Sequence, residues 1–245
     1  MQPILSDFQD QLVRGLAHRM NNILSLFHGY LGLLMDNQKL DSVSRTGLNR
    51  IRDGALVASN LMERMHAITR PASGARREMN PGDFFRQLAP ALDALRGPKV
   101  QIKVECPENL PRIWVDFSRL KLAILELVRN ACEAAASTVT IRATATVDAV
   151  QTELFPGTPV SASEQWLKIA VTDDGAGIPV SEANRIYDPF YSTKKRQESA
   201  GLGLAVALGC AQQFGGDLSH RSGKGTTTFE MILPARFVEE LRAVA

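Results

Sequence analysis

One hydrophobic period runs through the first seventy residues. Leu5, Phe8, Leu12, Leu16, Met20, Ile23, Phe27, Tyr30 and Leu34 recur at spacings of three and four, which predicts one long amphipathic helix over about 6–37. Val43, Gly47, Ile51, Ala55, Ala58, Met62 and Met65 repeat the pattern over about 39–70, and Pro71 ends this second helix. The polar stretch Asp36-Asn37-Gln38-Lys39 is short enough to join the two as an antiparallel hairpin. Two helices cannot bury both apolar stripes well against each other. A homodimer that completes a four-helix bundle is the expected solution.

The pattern then changes. Pro71-Ala72-Ser73-Gly74-Ala75-Arg76-Arg77 reads as a linker. Beyond it the periodicity predicts a helix near 81–96, strands near 100–105 and 112–115, and a long helix near 117–136. Strands follow near 138–147 and 166–173, then a glycine-rich loop, a helix near 201–214 and a closing hairpin near 217–233. With strands close together in sequence and helices segregated, the expected fold is an α+β two-layer sandwich rather than a doubly wound parallel sheet. Residues 148–164, with two prolines and little periodicity, read as a surface insertion. The expected division is a helical hairpin over 1–72 and a mixed domain over 73–245.

Composition narrows the function classes. The 245 residues are 44% hydrophobic and 22% charged, an ordinary globular balance. A net charge of +2 gives no electrostatic case for nucleic acid or an anionic membrane. Cys106, Cys132 and Cys210 lie far apart, which is neither a disulfide framework nor a zinc site and fits a reducing compartment. No apolar run reaches the roughly 18–20 residues that span a bilayer. The first residues lack the basic start and apolar core of a signal peptide. A cytoplasmic location with no membrane span is the expectation.

Five segments carry candidate chemistry. In Leu16-Ala17-His18-Arg19-Met20-Asn21-Asn22, His18 lies about 145° around the wheel from the apolar stripe of its helix. It is either a solvated histidine or an exposed imidazole that accepts a phosphoryl group, with Asn22 one turn on to position water or phosphate. In Glu126-Leu127-Val128-Arg129-Asn130-Ala131-Cys132-Glu133, the residues Glu126, Asn130 and Glu133 fall within about 40° of one another, opposite Ile124, Leu127 and Ala131. Such a face is either merely solvated or an oxygen-ligand set for a hard cation such as Mg²⁺.

Asp173-Asp174-Gly175-Ala176-Gly177-Ile178-Pro179 follows an apolar strand. A carboxylate there can accept from the exocyclic amine of a purine, while glycines let the backbone come close; a plain turn is the alternative. Ile186-Tyr187-Asp188-Pro189-Phe190-Tyr191-Ser192-Thr193-Lys194-Lys195 sets aromatics before basic residues, and Lys194 is placed to reach a terminal phosphate. Ser199-Ala200-Gly201-Leu202-Gly203-Leu204 runs into a helix, a geometry that offers backbone N–H groups to phosphate. Gly223-Lys224-Gly225 reads as a hairpin turn, with Thr226 just after it near any ligand.

In this order the five segments resemble a sensor histidine kinase core over about residues 6–233. His18 through Asn22 is similar to the H box, Glu126 through Asn130 and Glu133 to the N box, and Asp173, Gly175 and Gly177 to the first glycine box. Asp188 through Lys194 is similar to the F box, and Gly201-Leu202-Gly203-Leu204 to the second glycine box. The resemblance implies a dimerisation and histidine-phosphotransfer hairpin followed by an ATP-binding domain of the gyrase and mismatch-repair type. It implies that Asp173 holds the adenine amine, that Asn130 binds Mg²⁺, and that Glu126 arranges metal or water. Gly201, Leu202 and Gly203 would close a lid, roughly 178–200, over the triphosphate. His18 would take the γ-phosphoryl group and pass it to an aspartate on a response-regulator receiver domain, with the signal arriving from a separate sensor protein. Two positions depart from the pattern. Arg19 stands where the family carries an acid and cannot act as a base. Ser199-Ala200 stands where the second glycine box begins with another glycine. The competing expectations are a pseudokinase or phosphotransfer scaffold that docks a receiver domain, and a gyrase or mismatch-repair type ATPase.

Overall fold

Two long helices, α1 (Asp7–Met35) and α2 (Ser42–Thr69), form the first of two compact units, Met1–Arg70; the second is Pro71–Ala245. In this computed structural model the described residues are 7–37, 40–69, 76–135, 137–147, 165–192, 201–223 and 225–236. The expected insertion at 148–164 and the expected linker residues 71–75 lie outside them.

α1 and α2 run antiparallel. The Arg52 guanidinium meets the Met35 sulfur at 3.9 Å, and Arg45 donates to the Asn37 carbonyl at 3.4 Å. Further along, Leu24, Ala55 and Met62 form a small core, flanked by Met20, Ala58, Leu61 and Met65. Asp41 starts α2 by accepting the Ser44 N–H and the Ser44 hydroxyl, each at 2.8 Å, and those bonds hold its carboxyl below the usual range. The pair covers only part of its apolar surface: Leu26, Tyr30 and Leu33 of α1 and Val43, Ile51 and Val57 of α2 stay exposed.

The second unit is one mixed sheet with helices packed on it. Its elements are β1 (Arg77–Met79), α3 (Pro81–Leu95), β2 (Gln101–Glu105), β3 (Arg112–Val115) and α4 (Phe117–Ala134), followed by β4 (Thr138–Val147), β5 (Gln165–Asp173), α5 (Gly203–Gln213), β6 (Asp217–Gly223) and β7 (Thr226–Arg236). The strand order is β1-β3-β7-β5-β4-β2, with β6 also on β7. Only β2 with β4 is parallel. β7 is long enough to pair with β6 through Ile232 and then with β3 at Ala235 and Arg236.

Alternation along the strands sets the core. Val139, Ile141 and Ala143, then Leu167, Ile169 and Val171, then Phe229, Met231 and Leu233 are buried and lie opposite one another in register. They meet Leu120, Ile124, Leu127 and Val128 of α4 and the buried run Ala205–Ala211 of α5. The residues between them face away and pair as polar groups: Thr172 with Thr228 at 2.9 Å, Lys168 with Glu230 at 3.4 Å, and Arg142 with Glu105 at 2.6 Å.

Helix starts follow their caps. Asn80 accepts the N–H groups of Gly82 and Asp83 ahead of α3, and Asp116 accepts those of Ser118 and Arg119 ahead of α4. Every helix and strand read from the sequence is present within a few residues. The fold adds one strand that the sequence did not predict, β1, at the end of the stretch read as a linker, where Arg77, Glu78 and Met79 pair with β3. Replacing the α4 cap, Asp116→Ala, should lower stability by about 1 kcal/mol. Urea denaturation of the full chain should show the second unit's midpoint falling with its slope unchanged.

Candidate functional site

β5 builds the centre of the site. Its helix-facing row Leu167, Ile169, Val171 continues into Asp173, which is only 2% exposed. The Asp173 carboxylate accepts the Gly175 N–H at 3.0 Å, and its carbonyl accepts the Thr226 hydroxyl at 3.0 Å. Thr227, its ladder partner on β7, is buried beside it. Asp174 points elsewhere and closes the corner between α4 and β4. It accepts the Ser137 and Thr138 N–H groups, each at 3.0 Å, and the Ser137 hydroxyl. The two acids therefore divide: one carboxylate fixes the scaffold and the other sits at the strand end on the helix-covered face.

The glycines are needed for space. A β-carbon on Gly175 would lie 2.2 Å from the Ala134 carbonyl oxygen at the end of α4. Gly177 has φ +87, and a β-carbon there would lie 2.3 Å from the Gly223 carbonyl oxygen. The next residue, Ile178, donates its N–H to the Ser222 hydroxyl at 2.7 Å. The first glycine segment thus passes between the end of α4 and the β6–β7 turn, in contact with both.

The second glycine segment meets α4 from the other side. Gly201 has φ +64, and a β-carbon would come within 2.5 Å of the Phe190 backbone. Phe190, itself at φ 68, donates its N–H to the Gly201 carbonyl at 2.8 Å. Gly203 opens α5, and a β-carbon would lie 2.9 Å from Glu126 Oε2. No side chain caps α5 from within its own segment.

Glu126 departs from the sequence reading. The helical wheel places it on a polar face, whereas in the fold it is 4% exposed and held by Arg129 Nη1 at 2.7 Å. The wheel describes α4 alone; α5 starts against it and covers it. One turn on, Asn130 is half-buried, and Glu133 is exposed. The polar stripe of α4 thus runs from a buried carboxylate out to water, with Asn130 at the boundary. Among the described residues no group of three or more His, Cys, Asp and Glu side chains converges to hold a metal.

Residues 178–190 form successive turns tied back to β6. The Tyr187 hydroxyl meets His220 Nδ1 at 3.0 Å, with the rings edge to face at 5.6 Å. Burial lowers the His220 pKa from its ordinary value and so favours the neutral ring. Burial, with Asp217 nearby, raises that of Tyr187. Sequence reasoning missed this pair, as it missed Thr227, Ser222 and Arg129. Lys194 lies outside the described residues. His18, Arg19 and Asn22 belong to α1 in the other unit. Arg19 and Asn22 are exposed, and the His18 side chain lies outside what is described.

Comparison with known proteins places this geometry. Residues 115–236 match the family described as histidine kinase-, DNA gyrase B-, and HSP90-like ATPase. The chain is 28% identical over 237 residues to the sensor kinase CckA of Brucella abortus, covering 95% of this chain and 25% of that protein. It is 32% identical over 144 residues to the sensor histidine kinase ZraS of Escherichia coli, covering 58% of this chain and 27% of that one. The chain therefore spans about a quarter of the length of these relatives. Among solved structures, full-length ShkA in complex with AMPPNP shares the fold with a TM-score of 0.71 at 19% identity, over 93% of this chain and 46% of that one.

Two outcomes follow for stability. Gly175→Ala sets a β-carbon against α4 backbone and should cost about 1–3 kcal/mol, the range for overpacking, in urea denaturation. His220 titrates lower folded than unfolded. Below its ordinary value of 6.5 the unfolded chain therefore takes the proton first, and stability falls with pH until the folded pKa is reached. Asp217 has a raised pKa and contributes with the opposite sign at more acid pH. Denaturation midpoints between neutral pH and the folded pKa of His220 should drop for the wild type and drop less for His220→Asn.

Proposed function

The chain is built on a histidine kinase core with an ATP-binding domain, and from that premise we propose that it is an ATP-dependent protein histidine kinase of a two-component system. The observation that carries this reading is that the two glycine segments reach α4, Gly175 against Ala134 at its end and Gly203 against Glu126, with the buried Asp173 carboxylate at the strand end and no side-chain cap from Leu202 at the start of α5. Buried acid and side-chain-free backbone fit a purine, and the bare N-terminus of α5 fits phosphate oxygens.

In this reading Asp173 accepts from the adenine amine, beside a loop whose glycines allow close approach. Gly201, Leu202 and Gly203 present backbone N–H groups to the phosphates, and Lys194 adds a cation. Thr226 holds the strand end that carries Asp173. The protein donor set near α4 is small: Asn130 and Glu126. That suits Mg²⁺, which keeps several waters and binds through one or two protein oxygens plus phosphates. Asn130 is the metal ligand in this account. Glu126, held by Arg129, arranges metal or water at the start of α5. Mg²⁺ neutralises phosphate charge when bound, and positioning with that neutralisation supplies most of the rate.

His18 is the proposed acceptor: an imidazole nitrogen bonds to the γ-phosphorus, the bond to the β–γ bridging oxygen breaks, and ADP leaves. Asn22, exposed one turn on, positions phosphate or water. The phosphoryl group then passes to a receiver-domain aspartate. The exposed apolar side chains of α1 and α2 support a homodimer through a four-helix bundle. Among the described residues no helix is long and apolar enough to cross a membrane.

Arg19 favours a second reading, a phosphotransfer scaffold or pseudokinase that docks a receiver domain without labelling itself. It is exposed next to His18, at the family's acid position. Incubation with γ-labelled ATP and Mg²⁺ decides between them. The kinase reading expects acid-labile, base-stable label on the wild type and none on His18→Ala. Unlabelled wild type that still binds nucleotide would establish the scaffold. For the purine contact, Asp173→Asn should weaken ATP binding by about 1–3 kcal/mol in calorimetry, the range for a lost hydrogen bond to a desolvated group. Unchanged affinity would remove Asp173 from that role.

A further inference from the structure

Arg76 and Arg77 end the stretch that reads as a linker, yet both are engaged with the helices that frame the site. Arg76 donates from Nη2 to the carbonyl of Gln213, the last residue of α5, and its guanidinium lies 5.6 Å from the centre of the Phe214 ring. Gln213 also accepts, at its side-chain oxygen, from Arg119 Nη1 in the first turn of α4. Arg77 lies 5.9 Å over Phe117, the first residue of α4, and Phe117 meets Phe84 of α3 edge to face at 5.6 Å. The end of α5 and the start of α4 are thereby fastened to each other and to the residues that lead into this unit.

The chemistry of the junction suits a firm attachment. The last carbonyls of a helix carry its partial negative charge, and Arg76 meets it at the Gln213 carbonyl while Arg119 holds the side chain of the same residue. A guanidinium also has a fixed planar fork, so less freedom is lost per bond than with an ammonium. From this end α5 runs as one buried rod. Ala205 through Ala211 are all buried, and a closely packed helix shifts as a body more readily than it bends. At about 1.5 Å per residue, its other end lies roughly 16 Å away. That end is Gly203, where no space remains against Glu126. A displacement at Gln213 is therefore felt where the second glycine segment meets the N-box helix.

We infer that Arg76, acting through Gln213 and Arg119, is a positioning residue for the nucleotide site. It sets where α5 begins relative to α4 and couples the chain segment entering the second unit to nucleotide affinity. The ligand in this inference rests on the ATP-site reading above; the coupling itself rests on the contacts at Gln213.

The test uses the full chain with a fluorescent ATP analogue, Mg²⁺ and amide hydrogen exchange. Arg76→Ala should weaken analogue binding by about fivefold or more, the lower range of site-to-site coupling. In the absence of nucleotide it should speed exchange at residues 206–209, the first N–H groups of α5 with partners inside the helix, while the core of β5 keeps its protection. Arg76→Lys keeps the charge but not the fork and should recover only part of the loss. Arg142→Ala, which removes a surface pair with Glu105, should change neither measurement. Coupling is reciprocal, so nucleotide should slow exchange at residues 77–79 in the wild type and not in Arg76→Ala.

Wild-type affinity in Arg76→Ala, with unchanged exchange at 206–209, overturns the inference. So does a loss of affinity accompanied by faster exchange throughout the unit, which is simple destabilisation. If the wild type binds no nucleotide, the ATP-site reading fails, while the nucleotide-free exchange comparison still decides the coupling.

Discussion

At the start of α5 the chain meets the Glu126 carboxylate with no room for a single added carbon. Much of the second unit follows from that approach. Because α5 begins there, Glu126 is removed from water, and a buried carboxylate needs a counter-charge, which Arg129 supplies one turn along the same helix. Because α5 is pressed onto α4, the residues from Ala205 to Ala211 are buried all round, which explains their small and apolar character. Just ahead, Gly201 and Phe190 adopt positive φ and lock their backbones together, so the chain reaches Gly203 on a fixed path. Glycine costs conformational entropy at each of these positions. The sheet and the two helices offset that cost because they leave no alternative route.

The same logic explains what a linear reading could and could not find. Helices α3 and α4 are legible because each carries an apolar stripe of helical period, and α3 is followed by Gly97-Pro98; in the fold Asn80 and Asp116 cap them. Motif order was also legible, because the chain supplies each piece of the site in one segment. β1 was not. It is three residues long with only Met79 buried, so it has no period of its own, and it exists as a strand only because β3 lies beside it. Glu126 was misjudged for a related reason. A helical wheel knows the helix it is drawn for, and the element that buries Glu126 begins 77 positions later in the sequence. Thr227, Ser222 and the Tyr187–His220 contact all depend on the register of β6 and β7 against β5 and the turns that follow it. That register is a long-range property with no local signature.

The paired acids at 173 and 174 show how one dipeptide serves two ends. Alternation turns successive side chains to opposite faces, so only one can join the row formed by Leu167, Ile169 and Val171. Asp174, on the other side, satisfies the backbone N–H groups of Ser137 and Thr138, which would otherwise stay unpaired between α4 and β4. This corner holds the end of α4 against the loop that Gly175 begins. The position of Asp173 therefore depends on its neighbour: in the ATP-site reading, a carboxylate that meets a ligand is useful only if the strand end carrying it does not move.

In the kinase reading, binding a nucleotide and transferring its phosphate place different demands on the chain, and Arg19 bears on the second. An attacking imidazole must be neutral, with a free lone pair on the nitrogen that meets phosphorus. The family's acid orients that ring and takes the proton that the cationic product sheds. A guanidinium can do neither. It can instead attract phosphate oxygens. Arg19 is also exposed, so in the kinase reading water is available to receive the proton. Arg19 thus removes the family's base and leaves proton transfer to water. The glycine segments and Asp173 belong to the second unit, where α4, α5 and the sheet set their geometry.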